Sequence, residues 1–210
     1  VLCFAATASA QITWRTTHGT AVANTGAVTL ENTSMRIVAY PGHVEVYEEA
    51  TIRTSGSVHA NNDANTLEIV ANFSLPAGAT ISGALLWDGS RLLRSNLLDQ
   101  AVADSIYEDF VARDSVPPPR PIDPLILRRV AGSNAYRMQV YPVALNSARR
   151  VRLRYLLPAR ITPSGLEIRL QGALLPNVAP LSSNVPVTFV NGSGVTAIRL
   201  QEGGVLREVT

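Results

Sequence analysis

Apolar and polar residues alternate along most of this chain, as expected of β-strands with one buried face and one solvated face. In the segment 43–54, Val44, Val46 and Ile52 fall on one face, while Glu45 and Glu49 fall on the other. The same reasoning predicts further strands at 35–40, 66–74, 79–87, 91–93, 125–130, 135–143, 148–157, 166–170, 185–190 and 195–200. The segment 11–33 predicts only an extended stretch or a single strand.

Three dipeptides mark turns between these strands. Pro41-Gly42 predicts a turn between the strands at 35–40 and 43–54. Asp88-Gly89 and Asn191-Gly192 are dipeptides typical of hairpin loops. Each of these two is therefore expected to join a pair of neighbouring antiparallel strands.

One segment, 96–114, has a helical period instead. Leu98, Val102, Ile106 and Phe110 recur every four residues and form an apolar stripe. Asn96 suits the N-cap position, and the proline-rich run at 117–121 prevents the helix from continuing. The predicted fold class is mainly β: an antiparallel β-sandwich with one amphipathic α-helix packed on it.

Composition supports a folded domain with an uneven charge distribution. Hydrophobic residues make up 46% of the chain and charged residues 16%, which argues against disorder. Residues 31–124 contain 13 acidic residues and 6 arginines, whereas residues 125–172 contain 9 arginines and one glutamate. If both stretches belong to one domain, we expect acidic and basic strands to neutralise one another across a sheet.

The first ten residues resemble the end of a secretory signal. The segment 1–10 is apolar and then small, and Ala8-Ser9-Ala10 before Gln11 fits a signal-peptidase site. The alternative is a hydrophobic first strand. The only cysteine, Cys3, lies in this segment, so a processed chain would contain no disulfide and no thiolate metal site. We therefore expect an exported protein that is periplasmic, on the cell surface or secreted.

The strand at 148–157 carries the candidate binding residues. Arg150, Arg152 and Arg154 alternate with apolar residues and share one face. They form either an arginine stripe for an anionic ligand or the solvated face of an amphipathic strand, and the second interpretation is the default. The basic stretch has no recognised nucleic-acid motif, so we expect no nucleic-acid partner.

Catalytic and cofactor motifs do not emerge from the sequence. The histidines His18, His43 and His59 are far apart, and none has a neighbour at metal-ligand spacing. The chain contains no nucleophile elbow, no phosphate-binding glycine pattern and no apolar run of about 18 residues. We therefore expect no enzyme activity, no catalytic residues, no cofactor, no metal and no membrane span.

The order of the motifs resembles the VIT domain, named for the vault protein and the inter-alpha-trypsin inhibitor heavy chains. The resemblance covers about 34–172, with the proline-rich stretch at 115–124 as a departure from the family pattern. It rests on motifs whose order matches that family: Phe73-Ser74-Leu75-Pro76, Ala101 or Ala103 with Tyr107, Asp123-Pro124-Leu125, and Val151-Arg152-Leu153-Arg154-Tyr155.

This resemblance implies a β-sandwich with one helix and no catalytic residues, which commonly precedes a von Willebrand factor A-type adhesion domain. The expected organisation is a signal remnant at 1–10, an extended segment at 11–33, the VIT-like domain at 34–172 and further strands at 173–210 that lead toward a downstream domain. The expected function is a non-enzymatic interaction or scaffolding module of an exported cell-envelope or secreted protein. Its expected partner is another protein or the downstream domain of the same chain. The alternative is a polyanion- or glycan-binding module that uses Arg150, Arg152 and Arg154.

Overall fold

A computed structural model describes residues 2–4, 11–16, 27–55, 66–95, 125–130, 132–144, 146–162, 165–170, 186–192, 194–195, 198–202 and 205–209. Their regular secondary structure is entirely β-strand: β1 Leu2–Phe4, β2 Gln11–Thr16, β3 Ala27–Tyr40, β4 His43–Ser55, β5 Thr66–Ser74, β6 Thr80–Asp88, β7 Arg91–Arg94, β8 Leu125–Arg129, β9 Ala135–Ala144, β10 Ala148–Pro158, β11 Arg160–Thr162, β12 Gly165–Leu170, β13 Val187–Asn191, β14 Ile198–Glu202 and β15 Val205–Val209. The mainly β prediction is confirmed. The predicted helix at 96–114, with its stripe of Leu98, Val102, Ile106 and Phe110, lies outside the described residues.

Two sheets build the part of the fold that carries the candidate site. A six-stranded sheet has the order β13-β3-β4-β10-β6-β7, and a four-stranded sheet has the order β2-β5-β9-β8. All neighbours in these sheets are antiparallel except β13 and β3, which run parallel. Strand β13 comes from the segment 173–210, so the six-stranded sheet extends beyond the expected boundary at residue 172.

The two sheets share one hydrophobic cluster. Strands β4 and β10 bury every second residue, because successive side chains of a strand point to opposite faces. Side chains from both sheets belong to the same cluster, and the most completely buried include Ile37, Ile52, Leu86, Ile69, Leu127, Met138, Leu153 and Tyr155. The burial of Val44, Val46 and Ile52 on β4 confirms the alternation that the sequence predicts.

Buried polar side chains also lie on the inner faces of these sheets. Glu48 on β4 is fully buried, and its Oε1 accepts a hydrogen bond from the Tyr155 hydroxyl at 2.6 Å. Thr54, at the end of β4, is 1% exposed, and its Oγ1 donates to the carbonyls of Ala144 at 3.2 Å and Ser147 at 3.3 Å. These bonds fasten β4 to β10 and to the β9–β10 connection.

The turns confirm two of the three dipeptide predictions. Pro41-Gly42 joins β3 to β4, and Gly42 has φ +94°, which glycine adopts without the steric cost of a Cβ atom. Gly89 lies in the loop of the β6–β7 hairpin.

The hairpin prediction at Asn191-Gly192 is wrong. Strand β13 pairs with β3, whereas β14 pairs with β15 and β1. The Gly192 N–H donates to the Ala39 carbonyl at 2.7 Å, and a Cβ atom at residue 192 would collide with that oxygen. Glycine at residue 192 therefore allows two backbone segments to approach closely, and it does not form a hairpin loop.

Strand β3 begins eight residues before the predicted strand at 35–40, since its first residue is Ala27. The register shifts between Glu31 and Ser34, where Asn32 has φ +48°. An extra residue in the left-handed conformation is a β-bulge, and asparagine tolerates that conformation better than most residues. The bulge lets the strand continue through a polar stretch that resembles a loop in the sequence.

A third sheet contains the N-terminal and C-terminal strands of the described chain. Its order is β11-β12-β1-β14-β15, and β1 runs parallel to both β12 and β14. The first strand, Leu2–Phe4, lies within the segment 1–10 for which the sequence predicts a signal remnant. Strands β11 and β15 were not predicted.

Candidate functional site

The outer face of the six-stranded sheet carries the arginines that the sequence singles out. Arg150, Arg152 and Arg154 alternate along β10 with the buried residues Val151, Leu153 and Tyr155. Strand β10 lies between β4 and β6, so this arginine row runs through the middle of the sheet. The structure therefore brings the three predicted residues together on one solvent-facing surface.

Glu49 on β4 holds two of these arginines. The pairing register places Arg152 directly opposite Glu49. The Arg150 Nε donates to one Glu49 oxygen at 2.6 Å, and the Arg152 Nε and Nη2 donate to the other at 2.8 and 2.5 Å. This carboxylate thus accepts hydrogen bonds on both oxygens and fixes the two guanidinium groups side by side.

Glu45, four residues before Glu49 on β4, holds the third arginine. The Arg154 Nη2 and the Tyr47 hydroxyl each donate to Glu45 at 2.6 Å, to different carboxylate oxygens. The hydrogen bond from Tyr47 and the attraction of Arg154 lower the pKa of Glu45, although burial opposes the shift. Burial and the bond to Glu45 raise the pKa of Tyr47, and the same carboxylate raises the pKa of Arg154. The cross-strand neutralisation expected from the charge distribution is present at these pairs.

Two aromatic rings underlie the guanidinium groups. Arg150 and Arg152 lie 4.4 and 5.2 Å from the centroid of the Trp87 ring. Arg154 and Arg36 lie 5.4 and 5.7 Å from the centroid of Tyr47. Cations stacked over aromatic faces are attracted by the ring quadrupole, so these rings also restrain the arginine side chains.

We define the arginine face as this outer surface with the residues Arg36, Glu45, Tyr47, Glu49, Trp87, Arg94, Arg150, Arg152 and Arg154. Its five arginines outnumber its two glutamates, which leaves a formal excess of three positive charges. Sequence reasoning missed Trp87 and Tyr47 as members of this surface. Their place at alternating strand positions was visible, but the register that sets them beside arginines was not.

A depression of about 270 Å³ opens in this surface between β6, β10 and the end of β7. Arg94, Arg152 and Arg154 line it, together with Tyr47 and the serines Ser82 and Ser95. The Ser95 N–H donates to the Ala84 carbonyl at 2.9 Å, which extends the β6–β7 pairing and fixes this rim.

Other candidate chemistry from the sequence is not assembled at this surface. His43 stacks on Tyr40 with ring centroids 5.0 Å apart, and the hydrogen bonds of Glu45 go to Tyr47 and Arg154. The described residues contain no cluster of three or more metal-ligating side chains and no helix long and apolar enough to span a membrane. His18 and His59 lie outside those residues.

Comparison with known proteins gives no match, either to a family model or to a curated protein. The resemblance to the VIT domain therefore depends on the order of the sequence motifs, and it stays a prediction.

Proposed function

We propose that this chain is a non-enzymatic interaction module that binds a partner protein through its arginine face. The observation that carries the proposal is the combination of Trp87, Tyr47 and the three β10 arginines on one sheet surface. Tryptophan, tyrosine and arginine are the residues most enriched at the energetic centres of protein interfaces. The VIT-like β-sandwich with a packed helix is part of this proposal.

Pre-organisation strengthens the case for this surface. Arginine side chains lose considerable rotamer freedom when they are immobilised on binding, and this loss weakens affinity. Here Glu45 and Glu49 already hold Arg154, Arg150 and Arg152 in fixed positions before a partner arrives. A partner would therefore meet a surface whose charged groups are largely ordered.

Site-specific photo-crosslinking tests the proposal. Leu92 on β7 pairs with Trp87 and is 47% exposed, so a benzoylphenylalanine at residue 92 probes the arginine face. Val130, which follows β8 of the four-stranded sheet, is 46% exposed and gives a matched control position. In extracts of the source cells, we expect a discrete crosslinked protein from residue 92 and none from residue 130.

The captured protein must then bind the purified chain through the same surface. We expect Trp87→Ala to weaken its binding at least tenfold, since a hot-spot residue contributes about 2 kcal/mol or more. Arg137→Gln, an exposed arginine on the four-stranded sheet, is the control and should bind as wild type. Equal crosslinking at both positions, or unchanged affinity for Trp87→Ala, would show that the arginine face is not the interface.

The second candidate is a polyanion- or glycan-binding module, which the excess of positive charge on the arginine face favours. Replacing Arg150, Arg152 and Arg154 together by glutamine is then expected to lower the salt concentration for elution from a heparin column. Glu49→Gln should raise it, because two arginines lose their carboxylate partner. Retention that neither variant changes excludes this candidate.

We also propose that the module belongs to an exported protein and precedes a von Willebrand A-type domain. The small-residue pattern at Ala8-Ser9-Ala10 supports export. A segment that is removed on export cannot also form strand β1 of the mature protein. Mass spectrometry of the protein recovered from the cell envelope should therefore find Gln11 as its first residue, and recovery of peptides containing Leu2–Phe4 would contradict the signal assignment.

A further inference from the structure

Gly83 on β6 is one of the residues that line the depression in the arginine face. The β6–β10 register shifts between Arg154 and Tyr155, which pair with Gly83 and Ile81 and leave Ser82 as an extra residue. A Cβ atom built on Gly83 would meet no atom within 4 Å. A side chain at residue 83 would therefore occupy the depression, and its absence leaves room for a group from outside.

The charged side chains that line this depression are all positive. Arg94, Arg152 and Arg154 line it, whereas Glu45 and Glu49 do not. Arg94 has no carboxylate partner in the part of the chain that the structure describes. The Nε of Arg154 is buried without a hydrogen-bond partner there, so Glu45 does not use all the donors of this guanidinium group.

The size and polarity of the depression limit the kind of chemical group that can bind in it. A volume of about 270 Å³ lies just below the range of roughly 300–1,000 Å³ that is usual for small-molecule sites. One or two side chains of a partner fill such a space. Arginines recognise planar carboxylates through paired N–H donors, and Ser82 supplies a hydroxyl at the rim.

We propose that this depression is a carboxylate-recognition pocket, in which an acidic side chain of a partner protein inserts between Arg94, Arg152 and Arg154. The inference rests on the proposed function and specifies the chemistry of the partner: a surface with an isolated aspartate or glutamate. The two glutamates argue for an isolated acid over a uniform polyanion. A sulfated chain laid along β10 would meet Glu49 and Glu45 as well as the arginines, whereas a single acidic side chain meets only positive charges in the lining of the depression.

Nuclear magnetic resonance tests the pocket with a defined probe. The 210-residue chain is titrated with N-acetyl-glutamate amide and, separately, with its neutral isostere N-acetyl-glutamine amide. We expect saturable shifts of the Gly83 amide and of the Nε–H signals of Arg94, Arg152 and Arg154 with the glutamate probe only. The dissociation constant should be on the order of millimolar, as for a single ionic contact.

Two variants locate the effect. Gly83→Leu fills the depression and is expected to abolish the shifts, while the backbone tolerates a side chain there. Arg94→Gln should weaken binding of the glutamate probe at least tenfold. The matched controls are Thr188→Leu, exposed on β13 of the same sheet, and Arg91→Gln, exposed on the same short strand β7; both should bind as wild type.

A heparin tetrasaccharide in a parallel titration separates the alternatives. Binding of the tetrasaccharide that Gly83→Leu leaves intact, without saturable binding of the glutamate probe, would overturn the pocket in favour of a polyanion surface. The pocket is also overturned if the glutamate probe causes no saturable shift or binds Gly83→Leu normally. If the crosslinked partner loses affinity for Trp87→Ala but not for Gly83→Leu, the interaction module stands and the pocket alone fails.

Discussion

Truncation of Leu153 to alanine is expected to lower the free energy of unfolding by about 2–5 kcal/mol, the usual cost of emptying a buried leucine site. Leu153 is fully buried on β10, between Glu48 of β4 and Ala84 of β6. It belongs to the cluster that both sheets share. The alanine variant leaves a cavity where the sheets meet, and neighbouring strands on both sides limit how far the backbone can collapse into it.

Urea denaturation followed by circular dichroism measures this loss. Leu156→Ala is the matched control, because it lies on the same strand but on the solvent-facing side and is only half-buried. We expect the control to lose less than about 1.5 kcal/mol, because its side chain leaves no enclosed cavity. Equal losses for the two variants would mean that the inner face of β10 does not pack against the second sheet.

The positions of the strands, and the face on which each side chain lies, were predictable because both depend on the local alternation of apolar and polar residues. The pattern of β10 places Arg150, Arg152 and Arg154 on one face, and the structure keeps them there. The β6–β7 hairpin and the β3–β4 turn also follow from short-range turn chemistry at Gly89 and Gly42. These features need no knowledge of distant parts of the chain.

What could not be predicted depends on register between distant strands. The pairing of Glu49 with Arg152 joins residues 103 positions apart, and Trp87 reaches the same arginine from a third strand. The parallel pairing of β13 with β3 is another such case, and local dipeptides such as Asn191-Gly192 gave the wrong partner. The depression at Gly83 likewise requires the β6–β10 register shift, which leaves no periodic mark in the sequence.

The same limit explains the buried glutamate. A strand pattern with Glu48 on the apolar face of β4 looks like an interruption in the alternation. In the structure, the buried Glu48 carboxyl group is compensated by a hydrogen bond from the Tyr155 hydroxyl, 107 residues later in the chain. Buried polar groups are stable only when they are hydrogen-bonded, so this pair ties the two central strands of the sheet to a single register.

Replacing Tyr155 by phenylalanine is expected to cost about 1–3 kcal/mol at neutral pH, because it removes a hydrogen bond to a fully buried carboxyl group while the ring volume is kept. Tyr47→Phe is the matched control: it removes a bond of the same 2.6 Å length to Glu45, but on the partly exposed outer face. That loss should stay below about 1 kcal/mol. Urea denaturation of the two variants measures both values.

Alkaline pH gives the pair a second, independent signature. Burial first, and the neighbouring Glu48 second, raise the pKa of Tyr155 well above its ordinary value of 10.0. Below pH 10 the hydroxyl is protonated in both the folded and the unfolded chain, so its contribution to stability is fully present. Above pH 10 the unfolded chain releases the proton while the folded chain retains it, and stability falls by up to about 1.4 kcal/mol per pH unit from this residue.

The difference in unfolding free energy between the wild type and Tyr155→Phe should therefore shrink as the pH rises from 9 to 11. Phenolate absorbance at 295 nm should show that unfolding at alkaline pH releases one more tyrosine proton from the wild type than from the variant. A pH-independent difference, together with free ionisation of Tyr155 in the folded protein, would show that the hydroxyl is not enclosed with Glu48. Strands β4 and β10 also carry the arginine face on their outer side. Such a result would therefore also weaken the evidence for the strand register on which the carboxylate pocket depends.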